Sequence, residues 1–319
     1  MEGVIDHNMR DLLTRIGGYD RCVTEFIRVT THPVPDKVFR RYCPELDRGG
    51  VTPAGVPIFV QLLGGNCDRL ARSAVIATAA GAAGIDLNFG CPAKIVNRHD
   101  GGSVLLREPS RIGSIVSAVR QAVDCRVPVS AKIRLGFDDA SLLSDIAGHV
   151  AEAGASELCI HARTRSDGYR PPAKWSVVSR IDSGLPLETV VNGEIWTPGH
   201  ALESLRQSGC NHLMLGRGAL ARPDLALAIR SARSSSDYAK PMPWEEIAAQ
   251  IEEFFHRQDS GIRKYVGNRT KQWLGYLRRQ YPQAESLFHS VKRSTDPQQI
   301  AAMIARHAQG AESEPPRAA

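Results

Sequence analysis

Residues 57–94 read PIFVQLLGGNCDRLARSAVIATAAGAAGIDLNFGCPAK, and this stretch decides the fold class. It contains two short apolar runs, Pro57–Leu63 and Gly84–Asn88, which flank a segment of helical periodicity over Asp68–Ala83. A strand, a helix and a second strand in this order are typical of a parallel βα unit. The first two thirds of the chain repeat this alternation.

Seven apolar runs in all are predicted to be strands. The remaining five are Cys22–Val29, Val127–Leu135, Glu157–His161, Leu187–Asn192 and His212–Gly216. Helical periodicity separates most of them, over Ser110–Val123, Ala140–Ala153 and Pro198–Ser208. The pattern predicts an α/β protein with a parallel sheet.

Polar residues stand at or near the ends of several predicted strands, namely Gln61, Asn88, Lys132, His161 and Asn192. In a (β/α)8 TIM barrel, that edge of the sheet carries the catalytic groups. A doubly wound sheet would instead gather its ligands at one switch point, with a glycine-rich turn after the first strand. No G-x-G-x-x-G follows an early strand, so the barrel is favoured.

Composition excludes several classes of protein. The chain has 319 residues, a hydrophobic fraction of 42%, a charged fraction of 23% and a net charge of +6, which are values of a folded globular protein. No apolar run is long enough to span a membrane, and the N-terminus lacks the apolar core of a secretory signal. The seven cysteines form no C-x-x-C pair. They indicate reduced thiols in a cytoplasmic protein, with no disulfide framework and no metal site.

The composition changes after residue 230. Ser231–Pro243 is rich in serine and proline and is predicted to be a linker. Helical periodicity then returns in four segments, Trp244–Phe255, Lys264–Arg279, Ala284–Val291 and Pro297–Ala308. We therefore predict a barrel domain over residues 1–230, a linker over 231–243, a small all-α bundle over 244–308 and a disordered tail over 309–319.

Positive charge is concentrated in the predicted bundle. Residues 257–293 hold nine Lys or Arg and two acids, a net charge of +7, with five aromatic residues interleaved. Cations can neutralise phosphates and aromatic rings can stack on bases. The same pattern also fits a solvated face on a helical bundle, and the charge count alone leaves both interpretations open.

The most distinctive local motif is DLNFGCPAK, residues 86–94, which presents Cys91 on a turn directly after a strand. Such a thiol can act as a nucleophile or a general acid, although a lone cysteine is often only a small buried apolar residue. Lys132 lies inside an apolar strand, where an ammonium needs an anion or a polar ligand. It could form a Schiff base or hold an electron-rich ring, unless it faces outward. His161 ends its strand in the same way and could be structural.

Two turns near the last strands are candidate anion sites. Asn192-Gly193-Glu194 follows one strand, and Gly216-Arg217-Gly218 follows the next. In barrels, the loops after the last two strands often bind a phosphate through backbone N–H groups. Ordinary turn glycines remain the alternative. The residues indicate a phosphorylated cofactor without naming it, so that pyridoxal phosphate remains possible.

The sequence resembles the tRNA-dihydrouridine synthases over nearly its whole length, and most closely the bacterial subfamily that acts on uridine 16 of the D-loop. The motifs that carry the resemblance are MEGVID (1–6), TEFIRV (24–29), VQLLG (60–64), DLNFGCPAKIVN (86–97), GGSVLL (101–106), AKIRLG (131–136), IHARTRSDGYR (160–170), VNGEIW (191–196), LGRGAL (215–220) and KQWLGYLR (271–278).

The resemblance implies an FMN-containing barrel that reduces the C5–C6 bond of a tRNA uridine and is recharged by NADPH or NADH. By motif, Cys91 is then the acid that protonates C5, while reduced FMN delivers hydride to C6. Lys132 and Gln61 would hold the flavin ring. The full set of implied cofactor residues is Met1, Glu2, Gln61, Lys132, His161, Asn192, Gly193, Glu194, Gly216 and Arg217.

The resemblance also implies contacts with tRNA. Residues at matching positions near the active site are Arg28, Asn88, Arg134 and Tyr169, and those in the helical domain are Arg269, Lys271, Tyr276 and Lys292. The uracil must leave the D-loop stack to reach a barrel site. Asn88 is expected beside this base, and the protein is expected to be a monomer.

The N-terminus departs from the family pattern, because family members have a short strand and Ala-Pro before the Met-Glu-Gly-Val that here begins at Met1. The first barrel strand of the family pattern is therefore missing from this sequence, and we expect that translation starts upstream. Three alternatives remain: action on uridine 17 or 20, a small-molecule flavin oxidoreductase of the dihydroorotate dehydrogenase type, and a tRNA-binding protein without catalysis.

Overall fold

The structure is a computed structural model and describes residues 3–234, 239–257 and 267–308. Contacts divide the chain into two compact units. The first comprises Met1–His7 and Tyr19–Gly216, and the second comprises Asn8–Gly18 and Arg217–Ala319. The division thus follows Gly216, whereas the sequence prediction kept residues up to 230 with the barrel.

The first unit is built on a parallel sheet in which eight short strands occupy seven positions. The strands are β1 (Cys22–Val23), β2 (Ile27–Arg28), β3 (Ile58–Leu63), β4 (Gly84–Asn88), β5 (Val129–Arg134), β6 (Glu157–His161), β7 (Glu188–Asn192) and β8 (His212–Met214). Both β1 and β2 pair with β3, with Cys22 opposite Ile58 and Ile27 opposite Leu62. The predicted strand Cys22–Val29 is therefore present as two pieces.

From β3 to β8, each strand pairs in parallel with the next one along the chain. This order confirms the predicted barrel-type α/β fold with seven strand positions. Among the described residues, β8 pairs only with β7, and no ladder joins it to β1 or β2. The sheet is thus an open half-barrel.

The helices follow the strands in the expected alternation. They are α1 (His7–Ile16), α2 (Asp36–Tyr42), α3 (Cys67–Ala79), α4 (Lys94–Arg98), α5 (Pro109–Ala122), α6 (Leu143–Glu152), α7 (Trp175–Val178), α8 (Pro198–Ser208), α9 (Arg217–Ala221), α10 (Leu225–Ser234), α11 (Trp244–Arg257), α12 (Asn268–Leu277), α13 (Pro282–Val291) and α14 (Pro297–Ala308). Two 3-10 helices, Pro44–Arg48 and Gly102–Arg107, complete the set in the first unit.

Local chemistry sets several helix boundaries in the first unit. Asn66 accepts a hydrogen bond from the Arg69 N–H at 3.0 Å and begins α3, and Thr197 caps α8 in the same way. Such side chains satisfy N–H groups that have no partner inside the helix. Gly209, with φ of +71°, ends α8 in the left-handed conformation that glycine adopts without steric cost. All six residues of β3 are buried, as in parallel sheets covered on both faces.

The second unit is helical and has Trp273 at its centre. The Trp273 side chain is buried, its indole N–H donates to the Leu220 carbonyl at 3.0 Å, and Phe254 packs edge-on with ring centroids 5.2 Å apart. Within the described residues, the predicted bounds of the bundle helices agree closely with the observed helices α11 to α14. Residues 258–266 lie outside the described residues, and with them the first three residues of the predicted helix Lys264–Arg279.

Helix α1 was not predicted, and it belongs to the helical unit. Its Arg15 bonds Glu253 of α11 at 2.9 Å, and its Asp11 forms an ion pair with Arg257. Gly18, just after α1, has φ of +88°, and a Cβ there would lie 2.6 Å from the backbone nitrogen of Leu227. Glycine is required at this position because of both constraints.

The predicted linker Ser231–Pro243 is corrected at its start. Residues 231–234 form the last turn of α10, whose buried face includes Ile229 and Ala232. The apolar periodicity begins before the serines, and the helix extends into them. Packing of the buried face therefore outweighs the weaker helix propensity of serine. Residues 235–238 and the predicted disordered tail 309–319 lie outside the described residues.

The burial of Trp273 leads to a prediction for the helical unit. Trp273→Ala should lower the free energy of unfolding by about 3–5 kcal/mol, because it removes a large buried ring and the Leu220 hydrogen bond. Urea unfolding followed by circular dichroism measures the change. Phe288→Ala, a truncation of a half-buried ring on α13, serves as the control and should cost less. Equal losses for the two variants would contradict the central role of Trp273.

Candidate active site at the carboxyl edge of the sheet

Polar side chains from neighbouring strands lie side by side at the carboxyl edge of the sheet. The parallel register sets Asn88 opposite Lys132 and His161 opposite Asn192. The Lys132 ammonium donates to Asn192 Oδ1 at 2.9 Å. An ammonium has three donors, so this contact leaves Lys132 able to bond a ligand as well. The structure thus brings together the strand-end residues that the sequence predicted.

A hydrogen-bonded chain of side chains links β3 to β4. Gln61 Nε2 donates to Asp86 Oδ2 at 2.6 Å, and Asn88 Nδ2 donates to Gln61 Oε1 at 2.8 Å. Asn88 Oδ1 in turn accepts from the Gly90 N–H at 2.9 Å. Ser130 donates to the other oxygen of Asp86 at 2.7 Å. The chain ends at the residue before Cys91.

Asp86 was not assigned a role from the sequence, although a carboxylate inside the apolar strand GIDLN is an available signal. The residue is buried. Burial raises the pKa of its carboxyl, while the hydrogen bonds from Ser130 and Gln61 and the charge of Lys132 act in the opposite direction. A buried carboxyl of this kind requires its partners to be in place.

The backbone of Cys91 is held by the segment that follows it. Its carbonyl accepts from the Ser103 N–H at 3.0 Å and from Asn97 Nδ2 at 3.0 Å, and Ser103 Oγ donates to Asn97 Oδ1 at 2.9 Å. Gly102 has φ of +67°, and a Cβ there would lie 2.7 Å from the Cys91 carbonyl. The thiol is therefore presented, half-buried, on a braced turn beside Asn88. Asn97 and Ser103 were not singled out from the sequence.

The turn after β7 packs against the end of β6. Gly193 has φ of +114°, and a Cβ there would lie 2.6 Å from Cδ2 of His161. The turn therefore needs glycine to approach the imidazole this closely. Glu194 has φ of +60° and accepts from the Ala173 N–H at 2.6 Å. It also pairs with the buried guanidinium of Arg163.

Arg163 was also missed from the sequence, where it was only one of several cations in the motif HARTR. Its Nε donates to the Arg170 carbonyl at 2.7 Å, and its Nη1 lies 3.4 Å from Nε2 of His161. Because arginine only donates, His161 Nε2 accepts in this contact. The predicted role of Glu194 in cofactor binding stays a prediction, and its visible role is to neutralise Arg163.

Arg134 and Tyr169, two of the four residues predicted to contact RNA near the site, differ in exposure. Arg134 is only 2% exposed, and its guanidinium donates to the carbonyls of Gly90, Thr164 and Gly168. Burial lowers its pKa. Tyr169, stacked over Arg134 at 5.2 Å, is 56% exposed. The RNA contacts of both residues remain predictions, and the structure shows Arg134 as a tie between loops.

Several features fit a bound phosphorylated ring cofactor. Lys132 keeps ammonium donors for a ligand beside its bond to Asn192. The Gly193 backbone approaches the His161 ring more closely than a residue with a side chain could. The Nε atom of Arg28 is buried without a hydrogen-bond partner among the described residues. Met1 and Glu2 lie outside the described residues, so their predicted contacts are untested. Gly216 ends the first unit and Arg217 begins the second, and their predicted roles stay predictions.

The predicted RNA contacts of the helical unit have different surroundings. Lys292 is exposed and its ammonium lies 2.6 Å from Nδ1 of His289. Lys271 is half-buried and donates to the Ser294 carbonyl at 2.6 Å, and burial lowers its pKa. Arg269 donates to Gln272, and Tyr276 is half-buried. Lys271 thus ties α12 to the segment that follows α13, in addition to any contact with RNA.

The described part of the chain holds neither a candidate membrane-spanning helix nor a candidate metal-binding cluster. In residues 3–234, 239–257 and 267–308, no helix is both long and apolar enough to cross a membrane. The same residues hold no group of three or more His, Cys, Asp or Glu placed to bind a metal ion.

The fold defines a barrel-type enzyme, with candidate catalytic groups on the carboxyl ends of its parallel strands. The chain matches the family described as "Dihydrouridine synthase (Dus)" over residues 1–311. It belongs to this family. The match covers both units, as the resemblance predicted.

Curated relatives are similar over nearly their whole lengths. The tRNA-dihydrouridine(16) synthase of Shewanella oneidensis is 46% identical over 293 residues, covering 92% of this chain and 91% of the relative. That of Pseudomonas putida is 44% identical over 310 residues, covering 97% and 96%. That of Ralstonia nicotianae is 46% identical over 306 residues, covering 95% and 93%.

Solved structures with a similar fold are distant in sequence. A variant of NCR from Zymomonas mobilis superposes with a TM-score of 0.50 at 15% identity, covering 74% of this chain and 83% of that one. A 2-naphthoyl-CoA reductase in complex with 2-naphthoyl-CoA superposes with a TM-score of 0.55 at 12% identity, covering 72% and 47%. At these identities, the likeness supports the fold alone.

The bracing of the Cys91 turn can be tested on the thiol itself. Asn97→Ala removes the side-chain donor to the Cys91 carbonyl, so we expect alkylation of Cys91 by iodoacetamide to become about 3–10 times faster, as one lost hydrogen bond allows. Quantitative mass spectrometry of the Cys91 peptide measures the rate, with the half-buried Cys22 and Cys67 as internal references.

The matched control for this test is Ser103→Ala. It keeps the backbone N–H of residue 103 and the Asn97 amide on the Cys91 carbonyl, so the rate should change less. An unchanged rate in Asn97→Ala would show that Asn97 does not hold the turn.

Proposed function

We propose that this protein reduces the uridine at position 16 of tRNA to 5,6-dihydrouridine, with FMN as its cofactor and NADPH or NADH as electron donor. The observation that carries the proposal is the braced Cys91 turn, which directly follows the strand end bearing Asn88 beside Lys132. A thiol on the turn after one strand, with a cation on the neighbouring strand, supplies the kinds of group that proton donation to a reduced pyrimidine uses.

The choice of position 16 is supported by the relatives. Those of Shewanella oneidensis, Pseudomonas putida and Ralstonia nicotianae all bear the name tRNA-dihydrouridine(16) synthase, at 44–46% identity. Action on uridine 17 or 20 is the alternative within the family. A small-molecule flavin oxidoreductase is less well supported, because a free pyrimidine has no use for the basic helical unit.

A bound reduced flavin would supply the hydride that C6 of the uracil ring accepts. Negative charge then develops on the C5 and O4 side, and the Cys91 thiol donates the proton that C5 requires. Lys132 would hold the cofactor ring, and its positive charge would favour negative charge on that ring. Gln61 and Asn88 supply hydrogen bonds to the ring and to the base. His161 and the Gly193 turn, which pack against each other, would border the cofactor on the side of β6 and β7.

The helical unit attracts the tRNA backbone in this proposal. Its Lys and Arg side chains contact phosphates, which position the RNA without reading its sequence. The target uridine leaves the D-loop stack to reach Cys91. The protein acts as a monomer in the cytoplasm, where its reduced thiols and its tRNA substrate are found.

The deciding experiment maps dihydrouridine by position in bulk tRNA from a strain that lacks the gene. We expect dihydrouridine to disappear from position 16 and to be restored by a plasmid copy. Loss at position 17 or 20 would correct the site, and no loss at any position would refute the proposed activity.

Cys91→Ala tests the proton donor. Because only the thiol is removed, the purified variant should keep its yellow flavin and its affinity for tRNA, while dihydrouridine formation falls by a factor on the order of 100 or more. Quantification of dihydrouridine in a tRNA transcript gives the rate. Wild-type turnover in the variant would remove Cys91 from the mechanism.

Phosphate contacts of the helical unit can be separated from its internal ties by comparing two lysines. Lys292→Ala should weaken tRNA binding and reduce the slope of log Kd against log salt by about one, without changing thermal stability. Lys271→Ala should also lower the melting temperature, because its ammonium bonds the Ser294 carbonyl.

Filter binding from about 50 to 300 mM salt measures the slope, because phosphate contacts weaken over this range. Thermal unfolding measures the melting temperature. Lys37→Ala, which removes an exposed lysine of the first unit, is the control for both. A slope in Lys292→Ala equal to that of Lys37→Ala would show that Lys292 is not a phosphate ligand.

A further inference from the structure

The hydrogen-bonded chain that links Gly90 to Asp86 through Asn88 and Gln61 has a direction, because each hydrogen bond is donated toward Asp86. The Gly90 N–H can only donate, so it faces the oxygen of Asn88. Asn88 then turns its nitrogen to Gln61, and Gln61 turns its nitrogen to Asp86. A donor at one end and an acceptor at the other fix the orientation of both amides.

The two amides cannot reverse without unfavourable contacts. A reversed Asn88 would set its nitrogen against the Gly90 N–H and its oxygen against Gln61 Oε1. If Gln61 reversed as well, its oxygen would face the carboxylate of Asp86. Two groups of the same kind that face each other in a buried site lose a hydrogen bond and repel.

Asp86 keeps an acceptor toward Gln61 in this arrangement. Its other oxygen accepts from the Ser130 hydroxyl. Burial raises the pKa of the Asp86 carboxyl, and the charge of nearby Lys132 acts in the opposite direction. If the carboxyl is protonated, the proton can lie on the oxygen that faces Ser130, whose hydroxyl can accept it. The oxygen that faces Gln61 remains an acceptor.

An amide of fixed orientation distinguishes uracil from cytosine. Asn88 uses one N–H on Gln61 and one lone pair on Gly90, which leaves one donor and one acceptor side by side. Uracil presents the complementary pair, an oxygen beside the N3–H. Cytosine presents an amino donor beside the N3 acceptor, which would require the reversed amide.

We propose that Asp86 is a positioning residue that, through Gln61 and Asn88, sets the site to accept uracil and reject cytosine. This inference rests on the proposed reduction of a tRNA uridine and names the feature of the site that selects the base. Asp86 touches neither the base nor the cofactor in this role, and it acts only through the two amides.

The test compares binding of two tRNA transcripts that differ only in carrying U or C at position 16. Oxidised holoenzyme is used without reductant, so no turnover occurs. Wild type should prefer U by on the order of 10- to 100-fold, the discrimination of one bidentate amide pair. Asp86→Asn is nearly isosteric but can offer Gln61 either oxygen or nitrogen. The preference for U should therefore fall by about 3- to 10-fold.

Ser130→Ala is the matched control, because it removes the other hydrogen bond to Asp86 and leaves the carboxylate facing Gln61. Its preference for U should equal that of wild type. The flavin absorbance of each variant verifies that the first unit is folded. An unchanged preference in Asp86→Asn, or an equal loss in Ser130→Ala, would overturn the proposal.

Neutron diffraction from deuterated wild-type crystals provides a test that needs no variant. Deuterons should lie on the Gln61 nitrogen that faces Asp86 and on the Asn88 nitrogen that faces Gln61. The opposite assignment of either amide would overturn the inference. A wild-type enzyme that forms no dihydrouridine in any tRNA would instead refute the proposed function, while the amide orientation would still be read from the neutron map.

Discussion

The parallel register between β3, β4 and β5 is the constraint on which the candidate site depends. It sets Gln61 opposite Asp86 and Asn88 opposite Lys132. Successive side chains of a strand point to opposite faces, so a shift of one residue would separate every one of these pairs. Buried apolar neighbours such as Val60 and Ile85 fix the register, since a shift would bring polar side chains into the covering layer. The same strand register is therefore required both for the core packing of the sheet and for the geometry of the site.

Buried charges at the carboxyl edge join the site loops to one another. Arg134 bonds carbonyls of the loops after β4 and β6, and Arg163 joins the loop after β6 to Glu194 in the turn after β7. Burying an unpaired charge costs several kcal/mol, so each guanidinium stabilises only the loop arrangement that satisfies it. Arginine suits this task, because its five donors can reach several carbonyl groups at once. The loops are thus positioned before any ligand binds.

The sequence predicted the seven strand positions and the residues at their ends, because apolar runs and the polar residues that end them are local signals. It did not predict Asp86, Asn97 or Arg163 as site residues. The roles of Asp86 and Arg163 depend on partners that are distant in the chain, Gln61 and Glu194 respectively. Asn97 bonds the nearby Cys91 carbonyl, but it does so within an irregular turn. No periodicity encodes such pairs. Helix α1 was missed for a similar reason, since its ion pairs to α11 join residues more than 200 positions apart.

Under the proposed function, recognition of the RNA backbone and recognition of the base place opposite demands on the protein. Phosphate contacts can be made by exposed cations such as Lys292, because long side chains adapt to the ligand. The strength of these contacts falls as the salt concentration rises. Discrimination between two pyrimidines instead needs a donor and an acceptor that cannot exchange places. Exposed amides rotate freely in water, so this requires a buried anchor, and Asp86 with Gln61 provides one beneath Asn88. The separation of a basic helical unit from a rigid polar barrel edge satisfies both demands, because neither unit must be flexible and fixed at once.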